Sequence, residues 1–247
     1  TKLAWAMPRQ GKGRMKSKPF SHISKKTGRH PMWCRFFYIP LYRMKSSLVN
    51  ESQWSENIII ADADYIDRVA FNLIVNFERM LMRRIPQADL AKWTECIALD
   101  GGLRPTEDTE QHASSGVVLI HDKGRTAFEN FLPADYATAL NGKAFQGPLG
   151  EFTINTVAVE ATTTKTQLLL DIVTLACSHR DVKRIMIIPN AEEGTAYDEL
   201  RQLLRSADDE KRITVFAMQP LQGGNFRQEI LGYSMMQALG IRAEEIK

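Results

Sequence analysis

The most constraining stretch of the chain is residues 57–86, where a wholly apolar run meets a carboxylate-bearing turn and then a long helical stripe. Ile58, Ile59, Ile60 and Ala61 follow one another without a polar residue. A strand with one face in water would alternate, so this run predicts a strand covered on both faces, as in a parallel sheet. Asp62 ends it. Asp64 stands where a helix N-cap is expected, and Asp67 stands three positions on, where an acid can reach back to the cap amide. Ile66, Val69, Ala70, Leu73, Ile74, Phe77, Met80 and Leu81 then recur with helical period, opposite Arg68, Asn72, Asn76, Arg79 and Arg83. Burying each large member of that stripe is worth about 1.5–3 kcal/mol, so the stripe must pack against the sheet. Pro86 stops the helix.

The same alternation of apolar runs and periodic stripes continues. Residues 87–93 read as a short helix, and residues 96–99 as a second strand ending at Asp100-Gly101-Gly102. Residues 117–120 form a third strand that closes on His121 and Asp122, and residues 185–188 a fourth that leads to Glu192 and Glu193 at the start of a helix running to Ser206. Residues 213–218 form the fifth. A short helix is expected at 134–140, an extended segment of open pairing at 152–159, a helix after the threonine run 162–164, and a last helix over 226–239 that closes on Gly240. This order predicts one α/β domain over residues 51–247, doubly wound in three α/β/α layers around a mainly parallel five-stranded sheet.

Charge divides the chain at about residue 46. Residues 1–46 hold 12 of the 32 Lys and Arg and none of the 29 Asp and Glu, which leaves the remainder net acidic. Residues 1–50 therefore read as a disordered basic arm. Its interleaved Phe20, Trp33, Phe36, Phe37 and Tyr38 suit an anionic partner such as single-stranded nucleic acid. Met44 offers an alternative start that would leave the arm outside the working protein. Three widely spaced cysteines, Cys34, Cys96 and Cys177, suggest a reduced cytoplasmic setting, and the absence of a long apolar run argues against a membrane.

Ligands of open α/β sheets bind beyond the carboxyl ends of the strands. In the predicted fold those ends gather Asp62, Asp64, Asp100, Asp122, Glu192 and Glu193. Carboxylates converging on one rim repel one another unless a cation sits among them, and oxygen ligands suit Mg²⁺ or Mn²⁺. Asp62, Asp64 and Asp100 are thus the candidate catalytic acids, and Asp62, Asp64, Glu192 and Glu193 the candidate metal ligands. Each also has a plainer reading: Asp64 and Asp67 as helix caps, Asp100 as a turn residue, and the two glutamates as partners of a helix dipole.

From Asn57 to the C-terminus the chain resembles an uncharacterised bacterial family known only as a domain of unknown function. The resemblance is carried by Ile60-Ala61-Asp62-Ala63-Asp64, Phe77-Glu78-Arg79-Met80, residues 98–105 and residues 216–221. More distantly, the element order resembles NYN and PIN-type nuclease domains, which implies an Mg²⁺ site for RNA cleavage with Asp62 as its first acid and Asp171 near a helix acid. Where those domains have Ser-Gly-Asp-x-Asp, this chain has Pro189-Asn190-Ala191-Glu192-Glu193. Asp62-Ala63-Asp64 is also similar to the Asp-x-Asp of haloacid-dehalogenase-type phosphatases, which would make Asp62 a nucleophile and Asp64 its acid and base, although Tyr65-Ile66 replaces their Gly-Thr. Three functions follow as expectations: a non-catalytic adaptor or regulatory domain with a protein or RNA partner, a metal-dependent ribonuclease, or a phosphatase.

Overall fold

The computed structural model describes residues 54–105, 114–208 and 210–246; the basic arm lies outside the described residues. The Ile58–Ile60 run lies in β1 (Asn57–Asp62), every residue of which is buried. It is flanked on one side by β3 (Ser114–His121) and on the other by β7 (Arg184–Ile188), both parallel to it. Beyond β3 lie β6 (Gly150–Ala158) and β5 (Lys143–Gly147), and beyond β7 lie β8 (Arg212–Ala217) and β9 (Arg227–Ile230). Among the described strands of this sheet, only the β5–β6 pair is antiparallel. A two-residue ladder between β2 (Ala88–Asp89) and β4 (Phe131–Leu132) stands apart. The chain steps outward from β1 through β3 to β6 and then crosses back to begin at β7, so the order reverses beside β1. Strand order of that kind opens a crevice at the carboxyl ends of the strands.

Alternation within β1 decides which helices cover which face. Ile59 and Ala61 share a core with Val117 and Leu119, with Met186 and Ile188, and with apolar residues of α1 (Ala63–Leu81), α2 (Leu90–Asp100) and α5 (Leu231–Ala238). Ile58 and Ile60 point the other way, where α3 (Lys165–Ser178) packs on β1 and β3. Both faces are therefore dry, as the unbroken isoleucines require. Helix α4 (Ala196–Leu203) precedes β8 and continues into a single 3₁₀ turn, Leu204–Ser206.

Several expectations change. Residues 96–99 are not a strand but the last turns of α2, which Asp89 caps by accepting from the Lys92 amide at 3.1 Å. A four-residue apolar run fits a buried helical segment as well as a strand, and here Trp93, Ile97 and Ala98 are buried at helical spacing. Among the described residues the sheet has seven strands rather than five: residues 96–99 drop out, β6 joins, and so do the half-exposed edges β5 and β9, which have no apolar run to mark them. Residues 226–239 divide into β9 and α5, and the helix expected from Glu192 begins four residues later, at Ala196. The segment at 134–140 is a π-helical turn, Tyr136–Leu140, capped by Asp135. The extended segment near 152–159 is β6, paired with β3.

Candidate functional site

Three adjacent strands deliver charged side chains to one edge of the sheet. Asp62 closes β1, Asp64 opens α1, Asp122 follows β3, and Lys165 begins α3 just beyond β6. The Lys165 ammonium lies 2.6 Å from Asp64 Oδ2 and 3.3 Å from both Asp62 Oδ1 and Asp122 Oδ2. Its helix is fixed by Thr164, whose hydroxyl accepts from the Gln167 amide at 3.1 Å. A lysine in the first turn opposes the helix dipole, so the carboxylates must supply what holds it there.

Asp62, and not Asp64, caps α1: its Oδ1 accepts from the Tyr65 amide at 3.0 Å. The helix starts as soon as the chain leaves the sheet, two residues earlier than the cap expected at Asp64. Asp64 instead accepts from the Asp122 backbone amide at 2.9 Å, which ties the end of β3 to the start of α1. Asp67 does not reach back to a cap. It is 2 % exposed and accepts from the Glu129 amide at 3.2 Å, the Asn130 amide at 2.8 Å and Arg125 at 2.9 Å. Arg125 also approaches Asp64 Oδ1 at 3.5 Å.

The carboxyl groups of Asp62-Ala63-Asp64 are shifted in opposite directions. Burial pushes the Asp62 carboxyl above the usual carboxylate range, an effect that Lys165 and the Tyr65 amide offset only in part. Burial works upward on Asp64 as well, but hydrogen bonds from Lys165 and the Asp122 amide hold it below that range. Lys165 is correspondingly raised: burial acts against its charge, and Asp64, Asp62 and Asp122 outweigh burial. The closest pair at the centre is thus Lys165 with Asp64.

Glu192 and Glu193 reach the neighbouring part of this edge but have their own partners. Tyr65 donates to Glu192 Oε1 at 3.3 Å, and Arg68 pairs with Glu193 at 3.0 Å and with Asn190 at 3.2 Å. Asp100 lies elsewhere, at the end of α2, where burial and then Glu229 raise its carboxyl while Arg227 and Arg104 pull it down. It joins neither Asp62 nor Asp64, because the strand expected to carry it is a helix. Asp171 is held by Gln167 at 2.8 Å on the exposed side of α3. Among the described residues, no three His, Cys, Asp or Glu side chains are placed to hold a metal ion together. The carboxylates stand around an ammonium at hydrogen-bonding distances, wider than the roughly 2.1 Å that Mg²⁺ requires of its oxygens.

His121 completes the edge. Its ring stacks on Tyr136 at 4.1 Å between centroids, and its Nδ1 lies 3.0 Å from the Asp122 carbonyl oxygen. The Tyr136 hydroxyl is buried and has no hydrogen-bond partner. Lys165 and Arg125 escaped the sequence reading because it weighed only acids. The available signal was a lysine directly after a capping threonine, at the helix end where a cation is least at ease.

Residues 51–246 match the family model described as a family of unknown function (DUF6621). No curated protein and no solved structure matches the chain. No helix among the described residues is long and apolar enough to cross a membrane.

Proposed function

The chain belongs to that family of unknown function, and we propose that it is a non-catalytic adaptor or regulatory domain on a doubly wound, three-layer α/β/α scaffold of the NYN/PIN-like kind. One observation carries this reading: the ammonium of Lys165 sits among Asp62, Asp64 and Asp122, in the place where a nuclease of that kind would hold its divalent cation. A cation built into the chain offsets part of the negative charge of the strand-end acids and ties β1, β3 and α3 together. Mg²⁺ or Mn²⁺ would have to displace a buried ammonium from its strongest partner, Asp64. The second acidic motif of the nuclease domains is replaced by Glu192 and Glu193, which Tyr65 and Arg68 already engage. The edge is then a rigid structural element, and partners, protein or RNA, bind elsewhere on the molecule.

A phosphatase is favoured by a different feature of the same cluster. Lys165 touches both acids of Asp62-Ala63-Asp64, and a cation so placed would also steady a phosphoryl oxygen during attack by Asp62.

Two assays on the full chain separate these readings. With Mn²⁺ present, labelled single-stranded RNA should stay intact, and a generic phosphomonoester should not turn over. RNA cleavage that disappears in Asp62→Asn would establish the nuclease. Ester turnover lost in Asp62→Asn would establish the phosphatase.

A further inference from the structure

The opposite edge of the sheet carries a cavity of about 810 Å³, at the amino ends of β1, β7 and β8. That volume lies within the usual range of small-molecule sites, roughly 300–1,000 Å³. Arg180, Lys183, Arg184, Lys211 and Arg212 line it, against three exposed carboxylates, Glu56, Asp208 and Glu210.

The five cations are not equally engaged. Lys183 is paired with Glu56 at 2.8 Å, and Lys211 donates to the carbonyls of His179 and Val182. Arg184 spends one terminal nitrogen on the Gly101 carbonyl, while its Nε is buried without a partner. Among the described residues, the side chains of Arg180 and Arg212 have no hydrogen bond or ion pair. Register places Arg212 directly beside Arg184 across the β7–β8 ladder. Burial disfavours the charge on Arg184 most, and Arg212, Arg104 and Arg227 add to it, with Glu56 as the acid that opposes them. Five cations thus meet three carboxylates in the lining, and the guanidinium groups of Arg180 and Arg212 are uncommitted. One kind of ligand meets this imbalance: an anion with several acceptor oxygens, which forked guanidinium donors fit in a bidentate manner.

We propose that this cavity binds a small phosphorylated molecule through Arg184, Arg212 and Arg180. Three carboxylates in its lining would repel a continuing nucleic-acid backbone, so a compact phosphate or diphosphate group fits better than a polymer. The site lies at the amino ends of the strands, away from Lys165, and does not depend on whether the carboxylate edge is catalytic.

The test uses the full chain with pyrophosphate as the probe, at constant ionic strength. Titration calorimetry should show saturable binding, and hydrogen exchange should slow at the backbone of residues 182–184 and 212. Arg180→Gln and Arg212→Gln remove unpaired side chains, so both should fold normally, and their combination should weaken binding by about tenfold to a hundredfold. Lys143→Gln, a matched loss of charge on exposed β5, should leave affinity unchanged. A nucleoside triphosphate binding as well as pyrophosphate, with the same dependence on Arg212, would identify the source as a nucleotide. Binding that survives the double substitution, or that leaves exchange at 182–184 unmoved, would place the anion on the arm and overturn the proposal. Tighter binding of single-stranded RNA than of pyrophosphate, with the same arginines required, would overturn the small-molecule assignment.

Discussion

Replacing Lys165 by methionine keeps the unbranched stem and deletes the ammonium. Of its three partners Asp62 is buried at 7 % side-chain exposure, Asp64 is partly buried at 13 %, and Asp122 is 60 % exposed. Stranding a buried carboxylate costs about 3–5 kcal/mol, and the exposed pair adds at most about 1 kcal/mol. A loss of about 3–5 kcal/mol near pH 7 is therefore expected, a large share of the roughly 5–15 kcal/mol that holds a domain together. Lys165→Arg, which keeps the charge in a bulkier group, should lose less. The pH dependence has a definite sign. Lys165 holds Asp64 low, a contribution present above the unfolded carboxylate value and lost as pH falls through the folded one. Asp62 is raised, so the cost of its charge is relieved as pH falls through its folded value. Without the ammonium both carboxyls titrate higher, and the variant regains stability on acidification. Urea denaturation near pH 7 and at about pH 5 should thus show a gap between wild type and variant that narrows at the lower pH. A gap below about 1 kcal/mol near pH 7, or one unchanged by acidification, would refute the idea that Lys165 neutralises a buried cluster.

Asp67→Asn should be costly and Asp122→Asn mild, although both acids lie beside α1. The first turns an NH₂ group toward the Glu129 and Asn130 N–H donors at a buried position and weakens the hold on half-exposed Arg125, at about 1–3 kcal/mol; the second loses an exposed ion pair worth under about 1 kcal/mol. Equal urea midpoints for the two would contradict that assignment. Tyr136→Phe removes a buried hydroxyl that has no partner and should be neutral or stabilising by about 1 kcal/mol, whereas a clear loss of stability would mean that the hydroxyl is satisfied. Trp93, wholly buried against Phe131 at 5.9 Å, should cost about 3–5 kcal/mol when cut to alanine, read as a fall in the urea midpoint.

The central strand, its parallel neighbours and α1 were legible because β-branched residues fill those apolar runs, unlike Cys96-Ile97-Ala98-Leu99, and a long 3.6-residue stripe marks the helix. Residues 96–99 were not, since four apolar residues are short enough for either a strand or a buried helical turn, and only the Asp89 cap distinguishes them. The edge strands β5 and β9 carry Lys143, Gln146, Arg227 and Glu229 and so lack the pattern that marks a buried strand. At the carboxylate edge, Asp62 and Asp64 follow from where β1 stops, and Asp122 from where β3 stops. Lys165 does not, because its place depends on β6 lying beside β3, a long-range pairing that no local pattern encodes. The arginine cavity depends likewise on β7 and β8 meeting in register, which brings together Arg184 and Arg212, far apart in the chain.

The most direct measurement is titration of Mn²⁺ into wild type, Lys165→Met and Asp62→Asn, read by calorimetry. If an ammonium of the chain itself fills the place among the three aspartates, wild type shows no saturable Mn²⁺ binding that depends on Asp62, and removing Lys165 creates such binding. Stoichiometric Mn²⁺ uptake by wild type, abolished in Asp62→Asn, would contradict the account.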